Sequence, residues 1–111
     1  MLEILFGNQN TERIFFYLLK NDECYGRELS LRFDTALYGF QSILQKLEKA
    51  NILVSKIKGN TRYYQFNPQY PFLSELIRFF EKAYEYLPQD MREKYYEPIV
   101  RKRPRRAGKP I

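Results

Sequence analysis

Residues 25–67 read YGRELSLRFDTALYGFQSILQKLEKANILVSKIKGNTRYYQFN, and their spacing decides the fold. A short helix is predicted from Gly26 to about Arg32, burying Leu29 and Phe33. Asp34 and Thr35 are N-cap candidates for a longer helix. Its apolar positions Leu37, Phe40, Ile43, Leu44 and Leu47 recur at steps of three and four. Asn51 stands where that helix ends, and Asn tolerates the left-handed conformation of a C-terminal stop. Leu53–Ile57 and Arg62–Phe66 then read as strands joined by Lys58-Gly59-Asn60-Thr61. Strand alternation puts Tyr64 and Phe66 on one face, with Tyr63 and Gln65 on the other.

Helix, turn, helix and basic hairpin form the layout of a winged helix-turn-helix, a mainly α fold with a small β-hairpin wing. In that layout the second helix enters a DNA major groove and the hairpin lies beside it. Upstream, Ile14, Phe15, Leu18 and Leu19 predict a helix over about 11–20, capped by Asn10 or Thr11. Downstream, Leu73, Leu76, Ile77, Phe80, Ala83, Tyr84 and Leu87 form one broad stripe over about 72–87, and Pro88 ends it. Residues 89–97 have room for one further helical turn. We expect a domain over 1–88, including a C-terminal dimerisation helix, and a basic, Pro- and Arg-rich tail over 89–111.

The chain has 111 residues, enough for one domain with a modest core. Its net charge of +6 is unevenly placed. Arg101, Lys102, Arg103, Arg105, Arg106 and Lys109 lie in the last 11 residues without an acid, and the other 13 basic residues match the 13 acidic ones. The body is therefore neutral and the tail basic. Within the body, Lys46, Lys49, Lys56, Lys58 and Arg62 face only Glu48 between positions 46 and 62.

Once Leu37, Phe40, Leu44 and Leu47 turn inward, the open face of the long helix carries Tyr38, Gly39, Gln41, Ser42 and Gln45, with Lys46 and Lys49 beyond. Gln bonds adenine bidentately, and Ser or Tyr reaches phosphates or base edges. Gly39 would let the helix approach the DNA closely. In the hairpin, Lys56, Lys58, Asn60, Thr61 and Arg62 suit phosphates. The bland alternatives are a solvated helix face and a hairpin whose edge lysines block aggregation. The tail suits phosphates or an acidic protein partner. Phe72, Leu73, Ile77, Phe79, Phe80, Tyr84 and Tyr86 exceed what one side of a small core can cover. A second copy of the chain is their expected cover, with Phe15, Leu73, Ile77, Phe80 and Tyr84 at the interface. The alternative is packing back on the first helix.

Other chemistry is poorly supported. With no His and one Cys there is no zinc set and no Cys-His or Ser-His-Asp arrangement. The glycines are isolated, so no phosphate loop is formed. We expect no enzyme, no cofactor, no metal and no membrane span. A lone cysteine makes a reducing cytoplasm the expected setting.

The runs LFGNQNTERIFFYLL, YGRELS, FQSILQKLEKANIL, KGNTRYYQFNP and PFLSELIRFF together resemble the ArsR-like winged-helix regulators. They are closer to a branch of small bacterial and archaeal winged-helix proteins, some fused to or beside nucleotidyltransferase domains. The resemblance spans about residues 2–87. It implies a homodimer that binds double-stranded DNA to regulate transcription, with Leu37, Tyr38, Gly39, Gln41, Ser42 and Gln45 toward the groove. Metal-sensing members use sets of Cys and His ligands, which a chain with one Cys and no His cannot supply. Asn51 replaces the usual Gly, and Leu37 and Tyr38 stand where small polar residues are common. Two other functions remain open: a protein-docking winged helix, and an antitoxin-like accessory partner of a nucleotidyltransferase.

Overall fold

The computed structural model describes residues 1–98. The elements run α1 (Glu3–Phe6), α2 (Gln9–Lys20), α3 (Gly26–Phe33), α4 (Leu37–Lys49), β1 (Leu53–Lys58), β2 (Thr61–Phe66), α5 (Leu73–Tyr84) and α6 (Gln89–Met91). A single π-helical turn over Arg92–Tyr96 follows. The fold is mainly α with one two-stranded antiparallel hairpin. No helix among the described residues is long and apolar enough to cross a membrane.

Helix α2 is the centre of the core. Ile14, Phe15, Phe16, Tyr17 and Leu18 are consecutive and all buried, so the helix is covered on every side. α1, α4, α5 and the π-helical turn each pack against it. The Phe80 ring touches those of Phe6, Phe15 and Phe16 at centroid distances of 5.5, 5.1 and 5.1 Å. Burying one such side chain contributes about 1.5–3 kcal/mol. Phe15, Phe80 and Tyr84 were expected at a dimer surface, yet the chain buries all three within itself. Only Leu73 and Ile77 of that set stay half-exposed. Among the apolar groups left outside are Ile4, Leu5, Phe72, Phe79 and Tyr86, with Ile4 97% exposed.

The expected boundary at residue 88 falls too early. After Pro88 the chain doubles back, and Tyr96 enters the core at 2% exposure. Its ring sits 5.4 Å from Phe16, and Tyr95 stacks on Phe33 at 5.0 Å. Asn21 donates its side-chain amide to the Tyr96 carbonyl at 2.8 Å, and Arg32 donates to the Tyr95 carbonyl at 3.3 Å. This strap ties the last described segment to the ends of α2 and α3.

The caps differ from expectation in two places. Asn8, rather than Asn10 or Thr11, caps α2: its side-chain oxygen accepts the Asn10 and Thr11 N–H groups at 2.6 and 3.3 Å. Two residues upstream, an extra short helix, α1, brings the Leu2 N–H onto the carboxylate of Glu12, which is only 4% exposed. Asp34 and Thr35 do not cap α4. Asp34 ends α3 in the left-handed conformation, and Thr35 uses its hydroxyl on the Phe33 carbonyl and on Arg13.

The α4–β1 junction matches its sequence. Asn51 has φ 64°, and the Ile52 N–H donates to the Leu47 carbonyl. Asn51→Ala should therefore lower stability by about 1 kcal/mol, while Asn51→Gly should not lower it. Urea titration of the three proteins checks this.

Candidate nucleic-acid interface

The hairpin pairs Leu53 with Phe66 through Lys58 with Thr61. Its two-residue turn starts at Gly59, φ 63°, the position at which a tight hairpin turn needs positive φ. Cys24 adds a single bridge to Tyr64, so β2 lies between β1 and the segment entering α3. That bridge brings the N-terminus of α3 beside the wing. The Cys24 thiol is itself fully buried, and burial pushes its pKa up, which keeps it protonated and unreactive.

Three elements thereby converge on a cleft of about 310 Å³. α4 contributes Leu37, Gln41 and Gln45; the wing contributes Asn60, Thr61 and Arg62; α3 contributes Arg27. No carboxylate among the described residues lines it. The α3 N-terminus has no side-chain cap, so its first N–H groups add positive partial charge there. A cleft with two guanidiniums, three primary amides and no acid suits a polyanion that also offers hydrogen-bonding edges.

The expected α4 residues divide. Tyr38, Gln41, Gln45 and Lys49 follow each other at steps of three and four and are all exposed, so they share one outward stripe. Tyr38 is 78% exposed, a bulky aromatic standing free beside the cleft. Leu37 and Ser42 are half-buried at the margins, and Lys46 is exposed farther round. Gly39 is half-buried on α4. A Cβ at this position would lie 2.9 Å from the Asn10 Nδ2 atom, the tip of a side chain on α2, so the glycine also eases the close approach of α4 to α2. Gly26 plays the matching part for α3, where a Cβ would meet Gln41 Cγ at 3.1 Å and Leu37 Cδ1 at 3.2 Å.

The wing residues also divide. Lys56 is exposed and makes no ion pair among the described residues. Lys58 is engaged: it binds Glu23 at 2.6 Å and lies 4.3 Å over the Tyr63 ring. Tyr63 in turn meets the Tyr25 ring at 5.1 Å. Tyr64 is buried. The tail residues Arg101, Lys102, Arg103, Arg105, Arg106 and Lys109 lie outside the described residues.

Sequence reasoning missed Arg27 and the brace behind the turn. A cation in the first turn of a helix opposes the helix dipole, and that local conflict was the available signal for Arg27. Arg13 donates to Asn10 at 3.0 Å and to Thr35 at 3.2 Å, and its guanidinium lies 5.0 Å over Phe33. It thus fixes the turn between α3 and α4 to α2, which sets the angle at which α4 is presented.

Comparison of the chain with protein-family models and with curated proteins gives no match.

Proposed function

We propose that the protein is a winged helix-turn-helix that binds double-stranded DNA sequence-specifically, as a homodimer, to control transcription in a reducing cytoplasm. The observation that carries this reading is the acid-free cleft shared by α4, the wing and the α3 N-terminus. On this reading α4 enters the major groove, with Gln41 and Gln45 toward base edges and Tyr38 and Lys49 toward the flanking backbone. Lys56, Arg62 and Arg27 take phosphates. The resemblance to ArsR-like regulators points the same way. Selection from a pool of random duplexes tests it: a recurring sequence is expected, and recovery of an unenriched pool would contradict it.

The homodimer rests on the outer face of α1 and α5. Ile4 and Leu5 on α1, Phe79 on α5 and Tyr86 just beyond it are large apolar side chains left exposed to water. Two copies related by a two-fold axis would cover them and present two recognition helices to successive major grooves.

The wing lysines should not be equivalent. Lys56→Ala is expected to weaken every duplex about equally and to flatten the salt dependence by about one unit. Lys58→Ala should have a smaller effect, because its ammonium is already shared with Glu23 and Tyr63. Equal losses in a salt titration of both variants would show that the Lys58–Glu23 pair opens on DNA.

A second reading is favoured by one fact: residues 1–100 are formally neutral, an unusual balance for a strong DNA binder. A protein-docking winged helix, or an accessory partner of a nucleotidyltransferase, would use the same cleft for an acidic segment of its partner. Such a module would show no duplex affinity even at low salt.

A further inference from the structure

We propose that Ser55 and Glu48 are positioning residues that hold the Arg62 guanidinium at the mouth of the cleft, ready for a backbone phosphate. The inference rests on the DNA-binding reading and specifies one contact within it.

The left-handed turn at Asn51 folds β1 back against the end of α4, which brings Ser55 beside Glu48. Ser55 pairs with Tyr64 and Ile57 pairs with Arg62, so Ser55 and Arg62 are diagonal neighbours on one face of the hairpin. The Ser55 hydroxyl donates to Glu48 Oε2 at 2.6 Å and accepts from Arg62 Nη1 at 2.8 Å. Its single proton is therefore committed to the carboxylate, and its lone pair is turned to the arginine. No ion pair between Glu48 and Arg62 forms among the described residues. The carboxylate acts on the guanidinium through the hydroxyl.

This arrangement answers a specific difficulty. Arg62 is exposed and stands on a hairpin near its tip, where a long side chain samples many rotamers. Tethering one Nη1–H removes much of that freedom before any ligand arrives. The Nε–H and Nη2–H edge makes no other hydrogen bond among the described residues. That edge is the one that grips two phosphate oxygens side by side. The position argues for phosphate and against base readout, because base edges lie opposite Gln41 and Gln45 on α4, whereas the wing flanks the groove.

A double-mutant cycle on a selected duplex tests the inference, with thermal melting confirming that each variant folds. Arg62→Ala should lower affinity about ten-fold on every duplex and reduce the salt slope by about one unit. Ser55→Ala should lower it about three-fold in the parent protein and leave it unchanged in the Arg62→Ala background. Ser55→Thr keeps the hydroxyl on a strand-favouring residue and should restore affinity. Glu48→Ala should match Ser55→Ala, while Glu48→Gln, which keeps an acceptor, should not. If Arg62→Ala weakens binding but Ser55→Ala is neutral or purely additive with it, the positioning role is overturned and the DNA reading stands. If Arg62→Ala changes nothing on a duplex that the protein binds, the phosphate contact itself is overturned. If Arg62→Ala alters which sequence is preferred, Arg62 reads a base and the assignment to phosphate is overturned.

Discussion

Replacing Phe80 with alanine is expected to lower the stability of the domain by about 3–5 kcal/mol, enough to unfold much of it. The side chain is 1% exposed and touches the rings of Phe6, Phe15, Phe16 and Phe79, so truncation leaves a cavity that four aromatic neighbours cannot all collapse into. The loss should appear in urea titration at every protein concentration, because the contact is internal to one chain. Ile4→Glu makes the contrast. That residue touches almost nothing within the chain, so folding of the single chain should survive while self-association is lost. Sedimentation would show a smaller particle with an unchanged urea midpoint measured under dilute conditions. A destabilising Ile4→Glu or a harmless Phe80→Ala would each contradict the division between core and outer face.

The second large effect concerns recognition. Gln41→Ala and Gln45→Ala are each expected to reduce affinity for the preferred duplex by about 1–3 kcal/mol and to relax preference at one base position. Affinity for unrelated duplexes should change little, since the amides carry no net charge. Gln41 offers the sharper test. Its stem rests near Gly26, which orients the amide into the cleft. If both variants keep the parent preference in competition between duplexes, α4 does not read bases in this register.

Much of the layout was legible because it depends on neighbours close in sequence. The steps of three and four from Leu37 to Leu47 set the buried face of α4. Asn51 marked its end because few other residues accept positive φ, and Gly59 marked the hairpin turn for the same reason. Cover was only partly legible: Phe72, Phe79 and Tyr86 are exposed as expected, whereas Phe15, Phe80 and Tyr84 are buried. Periodicity says that a face is apolar, not what lies on it. Phe15, Phe80 and Tyr84 read as surplus in the sequence because no clear periodicity marks α1 or the strap that carries Tyr95 and Tyr96. With the strap and α1 in place, all three are interior. A glycine within a recognition helix fits a close approach to DNA or to another helix, and the nearness of Asn10 to Gly39 was not readable from spacing. In the cleft, the Gln41–Gln45 spacing was readable, whereas Arg27 arrives through the bridge of Cys24 to Tyr64, a contact 40 residues apart in sequence.

The most direct measurement is the equilibrium affinity of the full chain for a selected duplex and a scrambled one, followed across salt concentration. Our account predicts tighter binding to the selected duplex at every salt concentration. It also predicts that log affinity falls linearly with log salt, with a slope of about −0.9 for each phosphate contacted. Undetectable binding to both duplexes at low salt, or equal affinity for the two throughout, would contradict it.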